Sequence, residues 1–280
     1  MTIIWVITVL LGAVFAQVVC ADDLIRFESA SYRVGELQQR LARERGETIK
    51  PQPATTIEAY LSKPEGDGPF PAVVSLHGCS GLSPSSRMVE ADFFNALGYV
   101  SFVVDSFSTR RIVEACVSPI PNRHADALGA LSYLSKLPFV DAKRIALIGR
   151  SQGGIVALQV ASTQPVDVYD IPVGLAYKAI VAFYPFCGAA TEELAIPALI
   201  MIGDADDWTP AKECKRWMAQ RAGRGAPVKF IVYPGAHHAF DAPITGAGMQ
   251  MFGHLLKYDP EAAKQATTEV REFLRLHLTR

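Results

Sequence analysis

The run Gly149-Arg150-Ser151-Gln152-Gly153-Gly154 carries the clearest chemical signal in the chain. It follows an apolar stretch at residues 144–148 and precedes a helical pattern that begins at Ile155. A strand turning this sharply into a helix has room only for small residues two places before and two after its central side chain. Glycine stands at both places. Such a turn lifts the Ser151 hydroxyl clear of a sheet. It also sets the Gln152 amide at a helix N-terminus, aimed at negative charge developing on a bound carbonyl. Ser151 is therefore the candidate nucleophile and the Gln152 amide a candidate oxyanion donor.

A serine hydroxyl at neutral pH needs a base, and the base needs an acid to hold its tautomer. Two later loops offer them. Residues 198–202 are an apolar run ending in Gly203-Asp204-Ala205-Asp206-Asp207-Trp208-Thr209-Pro210, and residues 229–232 end in Tyr233-Pro234-Gly235-Ala236-His237-His238-Ala239-Phe240. Both loops leave the carboxyl ends of expected strands, the edge where a parallel sheet collects ligand-binding groups. His238 is favoured over His237 as base. Asp206 is favoured as acid: Asp204 suits ordering the turn through its own backbone amides, and Asp207 points away from Asp206 in an extended loop. His124, near a helix start, and His254 and His277, in helical segments, read as solvated or core residues. An earlier run at residues 73–76 enters His77-Gly78-Cys79-Ser80-Gly81. Its sharp turn lets the Cys79 amide serve as the second oxyanion donor, with His77 holding the loop.

The elements that must position these groups follow from periodicity. Residues 99–104, 144–148, 179–183, 198–202 and 229–232 are mostly apolar runs that read as buried strands. Helical patterns separate them. Met88, Val89, Phe93, Phe94 and Leu97 define one apolar face, and Asn122 caps a helix through Leu128, Leu131 and Leu134. Ile155, Val156, Leu158 and Val160 belong to a third helix. Asp259-Pro260 opens the last, with Ala263, Ala266, Val270, Phe273 and His277 on its inner face. Alternation at residues 56–61, then Gly66-Asp67-Gly68, then an apolar run at residues 71–76 reads as a β-hairpin. The expected fold class is α/β, a mostly parallel doubly wound sheet with helices on both faces.

Composition is that of an ordinary globular chain: 280 residues, 50% hydrophobic, 20% charged, formal net charge −1. That balance leaves no electrostatic footprint for nucleic acid, and the basic cluster at residues 40–45 reads as a solvated helix face. Residues 3–19 are apolar apart from Thr8, Gly12 and Gln17, and end in Val19-Cys20-Ala21 before Asp22-Asp23. Residues 1–21 are thus expected to be a cleaved signal peptide. An uncleaved anchor and lipidation at Cys20 are the alternatives, and no Lys or Arg precedes the run. Residues 22–50 form a polar extension with an amphipathic stretch around Leu37 and Leu41, and residues 51–280 the catalytic domain. Export places the mature chain in the periplasm or outside the cell, without stable membrane association. Four cysteines remain, an even number that permits two disulfides in an oxidising compartment. Loop positions favour Cys79–Cys116 and Cys187–Cys214. Their spacing does not resemble that of zinc ligands, and no metal is expected.

Taken together, His77-Gly78-Cys79-Ser80-Gly81-Leu82, Asp105-Ser106-Phe107, the Ser151 motif, residues 204–210 and His237-His238-Ala239-Phe240 resemble the dienelactone hydrolase family of the α/β-hydrolase superfamily. The resemblance covers roughly residues 50–280. It implies cleavage of a small-molecule ester or lactone without a cofactor, with Ser151 as nucleophile, Asp206 as acid and His238 as base. This chain departs from dienelactone hydrolases proper, which use a cysteine where Ser151 stands. Two other readings compete with an esterase: a peptidase related to prolyl oligopeptidases, and a binding protein on an inactive hydrolase fold. The first lacks a large N-terminal domain to restrict peptide access, and the second sits poorly with a complete set of reacting groups.

Overall fold

The computed structural model describes residues 22–49, 53–162, 168–191 and 193–279; the expected signal peptide lies outside the described residues. Eight strands form one sheet in the order β1-β2-β4-β3-β5-β6-β7-β8. They are β1 (Asp23–Glu28), β2 (Thr56–Ser62), β3 (Phe70–Leu76), β4 (Val100–Asp105), β5 (Val140–Arg150), β6 (Ala179–Phe183), β7 (Ala198–Gly203) and β8 (Val228–Tyr233). From β4 to β8 every neighbouring pair is parallel, whereas β2 runs against both β1 and β4. The central strands are largely apolar because helices cover the sheet. Val73, Val74, Phe102, Ala146, Leu147, Ile180, Val181, Leu199 and Ile200 are fully buried. Such strands have no polar face to offer water.

Helices α1 (Glu36–Glu44), α2 (Pro84–Ala96), α3 (Arg123–Leu134), α4 (Gln152–Val160), α5 (Ala211–Arg221) and α6 (Pro260–Leu278) complete the layers. Their starts are set by local chemistry. Ser83 accepts from the Ser86 amide ahead of Pro84, Asn122 accepts from the Ala125 amide, and Asp259 accepts from the Glu261 and Ala262 amides ahead of Pro260. Each cap satisfies helix N–H groups that have no partner within the helix. On α6 the buried stripe is Ala262, Ala266, Val270, Phe273 and Leu274, at the spacing of one helix face.

Four expectations change. The expected hairpin is absent: β2 pairs with β4, which lies between β2 and β3. The chain between β2 and β3 is long enough to cross over β4, and β3 gains parallel partners on both sides, which suits its largely apolar sequence. Met88 and Val89 are exposed, and α2 buries Ala91 and Phe94 instead. His254 lies in a short strand, β10 (His254–Leu256), paired with β9 (Met249–Met251), rather than in a helix. The segment after residue 22 does more than lie on the domain, because β1 extends the sheet at its edge. Helix α1 buries only Ala42, and Leu37 and Leu41 are exposed. Among the described residues, no helix is long and apolar enough to cross a membrane.

Candidate active site

The candidate nucleophile occupies a conformation that its neighbours impose. Ser151 sits between β5 and α4 with φ 52° and ψ −116°, a backbone state an L residue adopts only under constraint. Its N–H donates to Phe183 O at 2.9 Å. A Cβ on Gly149 would lie 2.0 Å from Gly153 O, and one on Gly153 would lie 2.4 Å from Leu76 O. Neither site tolerates a side chain, which is the physical content of the two glycines flanking Ser151.

Ser151, His238 and Asp206 form one chain of contacts. Ser151 Oγ is 3.0 Å from His238 Nε2, and His238 Nδ1 is 2.8 Å from Asp206 Oδ2. Donation of the Nδ1 proton to the carboxylate leaves the Nε2 lone pair facing the serine hydroxyl. His238 and Asp206 are only 2% and 3% exposed, so this chain is dry along its inner length. Asp206 Oδ1 accepts from the amides of Trp208 and Thr209 at 2.9 and 2.8 Å, which fixes the carboxylate against rotation. Thr209 Oγ1 lies 2.9 Å from Asp206 Oδ2 and 3.0 Å from Tyr184 O. The rings of Tyr184 and Trp208 pack on the imidazole at 4.7 and 5.1 Å.

The competing residues are placed elsewhere. Asp207 is largely exposed and stands 3.5 Å from His254 Nδ1. Asp204 accepts from the Gly235 amide at 2.6 Å, so it ties the acid loop to the histidine loop rather than ordering its own turn. His237 is half-buried, and its Nδ1 has no hydrogen-bond partner among the described residues.

The loop after β3 is held from behind. His77 Nδ1–H donates to Gly78 O at 2.7 Å, and His77 Nε2 accepts from the Ser106 amide at 3.2 Å. Burial, reinforced by the Arg123 charge, pushes the His77 imidazole down to about 3, so it stays neutral at ordinary pH. Cys79 is disulfide-bonded to Cys116, and Cys187 to Cys214. The Ala115 amide donates to Cys79 O at 2.8 Å, and Gln152 Nε2 donates to Ala115 O at 3.0 Å.

Arg123 closes this ring, and local sequence gave no sign of it. The side chain is wholly buried; Nη1 donates to Gln152 Oε1 at 2.9 Å and Nη2 to His77 O at 2.7 Å. Burial lowers its guanidinium to about 10, still charged at neutral pH. One cation therefore joins the loop that carries Cys79 to the residue after Ser151. Arg150, inside the Ser151 motif, is a second cation whose role sequence did not reveal. It pairs with Glu90 at 2.6 Å and Asp241 at 2.7 Å. Both became visible only when the loops were brought together.

A cleft of about 320 Å³ opens onto Ser151 and His238, and its walls include Gly78, Cys79, Leu82, Trp208, Ile244 and Met251. That volume is near the lower end for small-molecule sites. Among the described residues, no group of three or more His, Cys, Asp or Glu side chains is arranged to hold a metal ion.

Comparison with known proteins agrees with this architecture. A probable 2-oxo-3-(5-oxofuran-2-ylidene)propanoate lactonase of Bradyrhizobium sp is 26% identical over 232 residues, covering 79% of this chain and 89% of that protein. The crystal structure of a dienelactone hydrolase-like promiscuous phosphotriesterase from metagenomic libraries superimposes with a TM-score of 0.64 at 19% identity, covering 91% of this chain and 99% of that one. Esterase 2 of Thermogutta terrifontis, phosphoramylated by tabun, gives a TM-score of 0.61 at 17% identity over 79% of this chain and 89% of that chain. At these identities the two structures speak for the fold alone. The dienelactone hydrolase family model matches residues 57–278, from β2 to the end of α6, and so takes in the Ser151 turn and both later loops. The chain belongs to the dienelactone hydrolase family, α/β hydrolases that act on ester or lactone bonds.

Proposed function

We propose that this protein is a serine hydrolase that cleaves a carboxylic ester or lactone through an acyl-enzyme. The observation that carries the reading is the contact chain Ser151 Oγ–His238 Nε2 at 3.0 Å and His238 Nδ1–Asp206 at 2.8 Å, opening onto the cleft. His238 takes the Ser151 proton as Oγ attacks the carbonyl carbon, and Asp206 stabilises the imidazolium that forms. The amides of Cys79 and Gln152 receive the oxyanion; the latter begins α4 and adds the field of the helix N-terminus. Collapse breaks the acyl–oxygen bond, with the His238 proton going to the departing alkoxide. In a lactone the alcohol stays tethered to the acyl group. Water, deprotonated by His238, then attacks the acyl-enzyme; the bond to Ser151 Oγ breaks, His238 returns the proton to Oγ, and the acid is released.

The relatives' names support ester and lactone bonds over peptides, since lactonase and esterase are the activities they carry. Export to an oxidising compartment belongs to the same reading, and the two disulfides support it. The test is an activity-based fluorophosphonate probe, with p-nitrophenyl esters, lactones and peptides as substrates. Wild type labels and hydrolyses esters or lactones; Ser151→Ala does not label and loses several orders of magnitude in kcat while keeping its melting temperature. Labelling that persists in Ser151→Ala, or turnover of peptides alone, overturns the reading.

A further inference from the structure

Ser151, Tyr184 and Ala239 line the cleft and hold φ of 52°, 38° and 57°. Non-glycine residues keep such angles only where surrounding contacts over-determine them. Tyr184 directly follows β6 and lays its ring on His238 at 4.7 Å, and Ala239 directly follows His238. One carboxylate draws these three segments together. Asp241 Oδ2 accepts from Arg150 Nε at 2.7 Å, and Asp241 Oδ1 accepts from the Tyr184 hydroxyl at 2.7 Å. Arg150 precedes Ser151, and Asp241 stands three residues after His238. Burial, with the Asp241 charge beside it, holds the Tyr184 phenol well above its usual range, so the hydroxyl stays a donor. Arg150 is itself anchored: its Nη1 donates to Glu90 Oε1 on α2 at 2.6 Å, and its guanidinium lies 4.8 Å over the Phe183 ring. Backbone bonds hold the histidine loop from the other direction. The Lys257 amide donates to His238 O at 3.2 Å and the Asp259 amide to Phe240 O at 2.9 Å.

We infer that Asp241 is a positioning residue that holds the His238 imidazole at Ser151 Oγ by bridging Arg150 and Tyr184. The inference rests on the serine-hydrolase reading above. Arg150, Tyr184 and His238 line the cleft, whereas Asp241 is not among the described residues of its wall, so it acts through them. The contact of Ser151 Oγ with His238 Nε2 at 3.0 Å joins residues 87 apart in the chain, and proton transfer across it needs both partners held in place. Asp206 fixes Nδ1, but a bond at one atom leaves the ring a pivot. The Tyr184 and Trp208 rings limit that swing, and Asp241 fixes Tyr184 by its hydroxyl. The Asp241 side chain is only 10% exposed, so salt screens its pairing with Arg150 little.

The test is steady-state hydrolysis of p-nitrophenyl butyrate by Asp241→Ala, Asp241→Asn, Tyr184→Phe and the double variant Asp241→Ala/Tyr184→Phe. Circular dichroism gives the folded fraction, and the rate of fluorophosphonate labelling is followed on the same preparations. A misplacement of about 1 Å between reacting groups costs up to about 10²-fold, so Asp241→Ala should lower kcat by about 10–10²-fold with KM within about twofold and labelling slowed alongside. Asp241→Asn keeps one acceptor oxygen and should recover part of that loss. Tyr184→Phe keeps the ring on His238 and removes only the bond to Asp241. It should cost about threefold in the wild-type background and nothing further in Asp241→Ala, because residues that act through one shared contact are not additive. Folded Asp241→Ala with kcat within about threefold of wild type overturns the inference. So does a loss confined to KM, or an equal cost of Tyr184→Phe in both backgrounds. Should Asp241→Ala fail to fold, Asp241→Asn decides: kcat within about twofold of wild type overturns the inference, and a larger loss with unchanged KM supports it. Absence of labelling in wild type strikes instead at the serine-hydrolase reading.

Discussion

Arg123 is the sharpest point at which to press the proposed mechanism. Replacing it by Met keeps the length and apolar stem but removes both donors, at 2.9 Å to Gln152 Oε1 and 2.7 Å to His77 O. Each hydrogen bond to a charged group contributes about 1.5–3 kcal/mol, and each orphaned buried acceptor costs about 1–3 kcal/mol. Against this, the variant no longer has to bury a cation, a cost of several kcal/mol. Arg123 holds no carboxylate directly, so that relief is real and the net loss of stability is moderate. Catalysis has no such offset. The two acceptors belong to the segments that supply the Cys79 and Gln152 amides, and loss of one oxyanion donor costs about 10²–10³ in kcat. With the amides displaced rather than deleted, Arg123→Met should lower kcat by about 10–10²-fold with a smaller change in KM. Arg123→Lys, able to reach one acceptor at a time, should fall between that variant and wild type. The assay is steady-state hydrolysis of a p-nitrophenyl ester below the melting temperature of each variant, with the folded fraction checked by circular dichroism. A folded Arg123→Met enzyme with kcat within about threefold of wild type, a barrier change of only ~0.7 kcal/mol, would refute the clamp.

Other expectations follow from the same geometry. Among the three aspartates of the acid loop, Asp206→Asn should lose the most kcat at pH 7, because Asp206 contacts His238 Nδ1 at 2.8 Å while Asp204 bonds Gly235 and Asp207 faces solvent. A larger loss in folded Asp204→Asn or Asp207→Asn would reassign the acid. His77 makes stability depend on pH. Its folded value is depressed to about 3, so the unfolded chain binds the extra proton and stability falls as pH drops below the unfolded value. Between about pH 6.5 and 5 the loss amounts to about 2 kcal/mol, and His77→Gln should flatten that part of the urea-midpoint profile; an unchanged slope would reject the neutral buried imidazole. The disulfides close separations of 37 and 27 residues, for which the chain-entropy relation gives about 3.5–4 kcal/mol each. Cys79→Ser/Cys116→Ser should lose activity beyond its loss of stability, since that bond braces the Cys79 loop. Cys187→Ser/Cys214→Ser should lose stability alone, and kinetics on folded material separate the two.

What the sequence determined by itself is local or periodic. The turn at Ser151 is legible because a strand that turns so sharply into a helix needs a glycine on each side of its central residue, and strands β3 to β7 because burial on both faces leaves few polar positions. The order of serine, acid loop and histidine loop along the chain, each after an apolar run, placed all three at one sheet edge. Helix starts at Asn122 and Asp259-Pro260 rest on side chains bonding amides two or three residues away. The tertiary structure alone decided what depends on contacts between distant segments. The pairing of β2 with β4 was hidden, since a glycine-rich turn looks the same whether the chain folds back or crosses over. His254 went to a strand because its partners are Met251 across a hairpin and Trp208 on another loop. Arg123 and His77 are 46 residues apart, and Arg150 and Asp241 are separated by 91. No periodicity records such pairs, because a buried arginine is tolerated only where folding brings acceptors to it, and that condition is a property of the assembled interior.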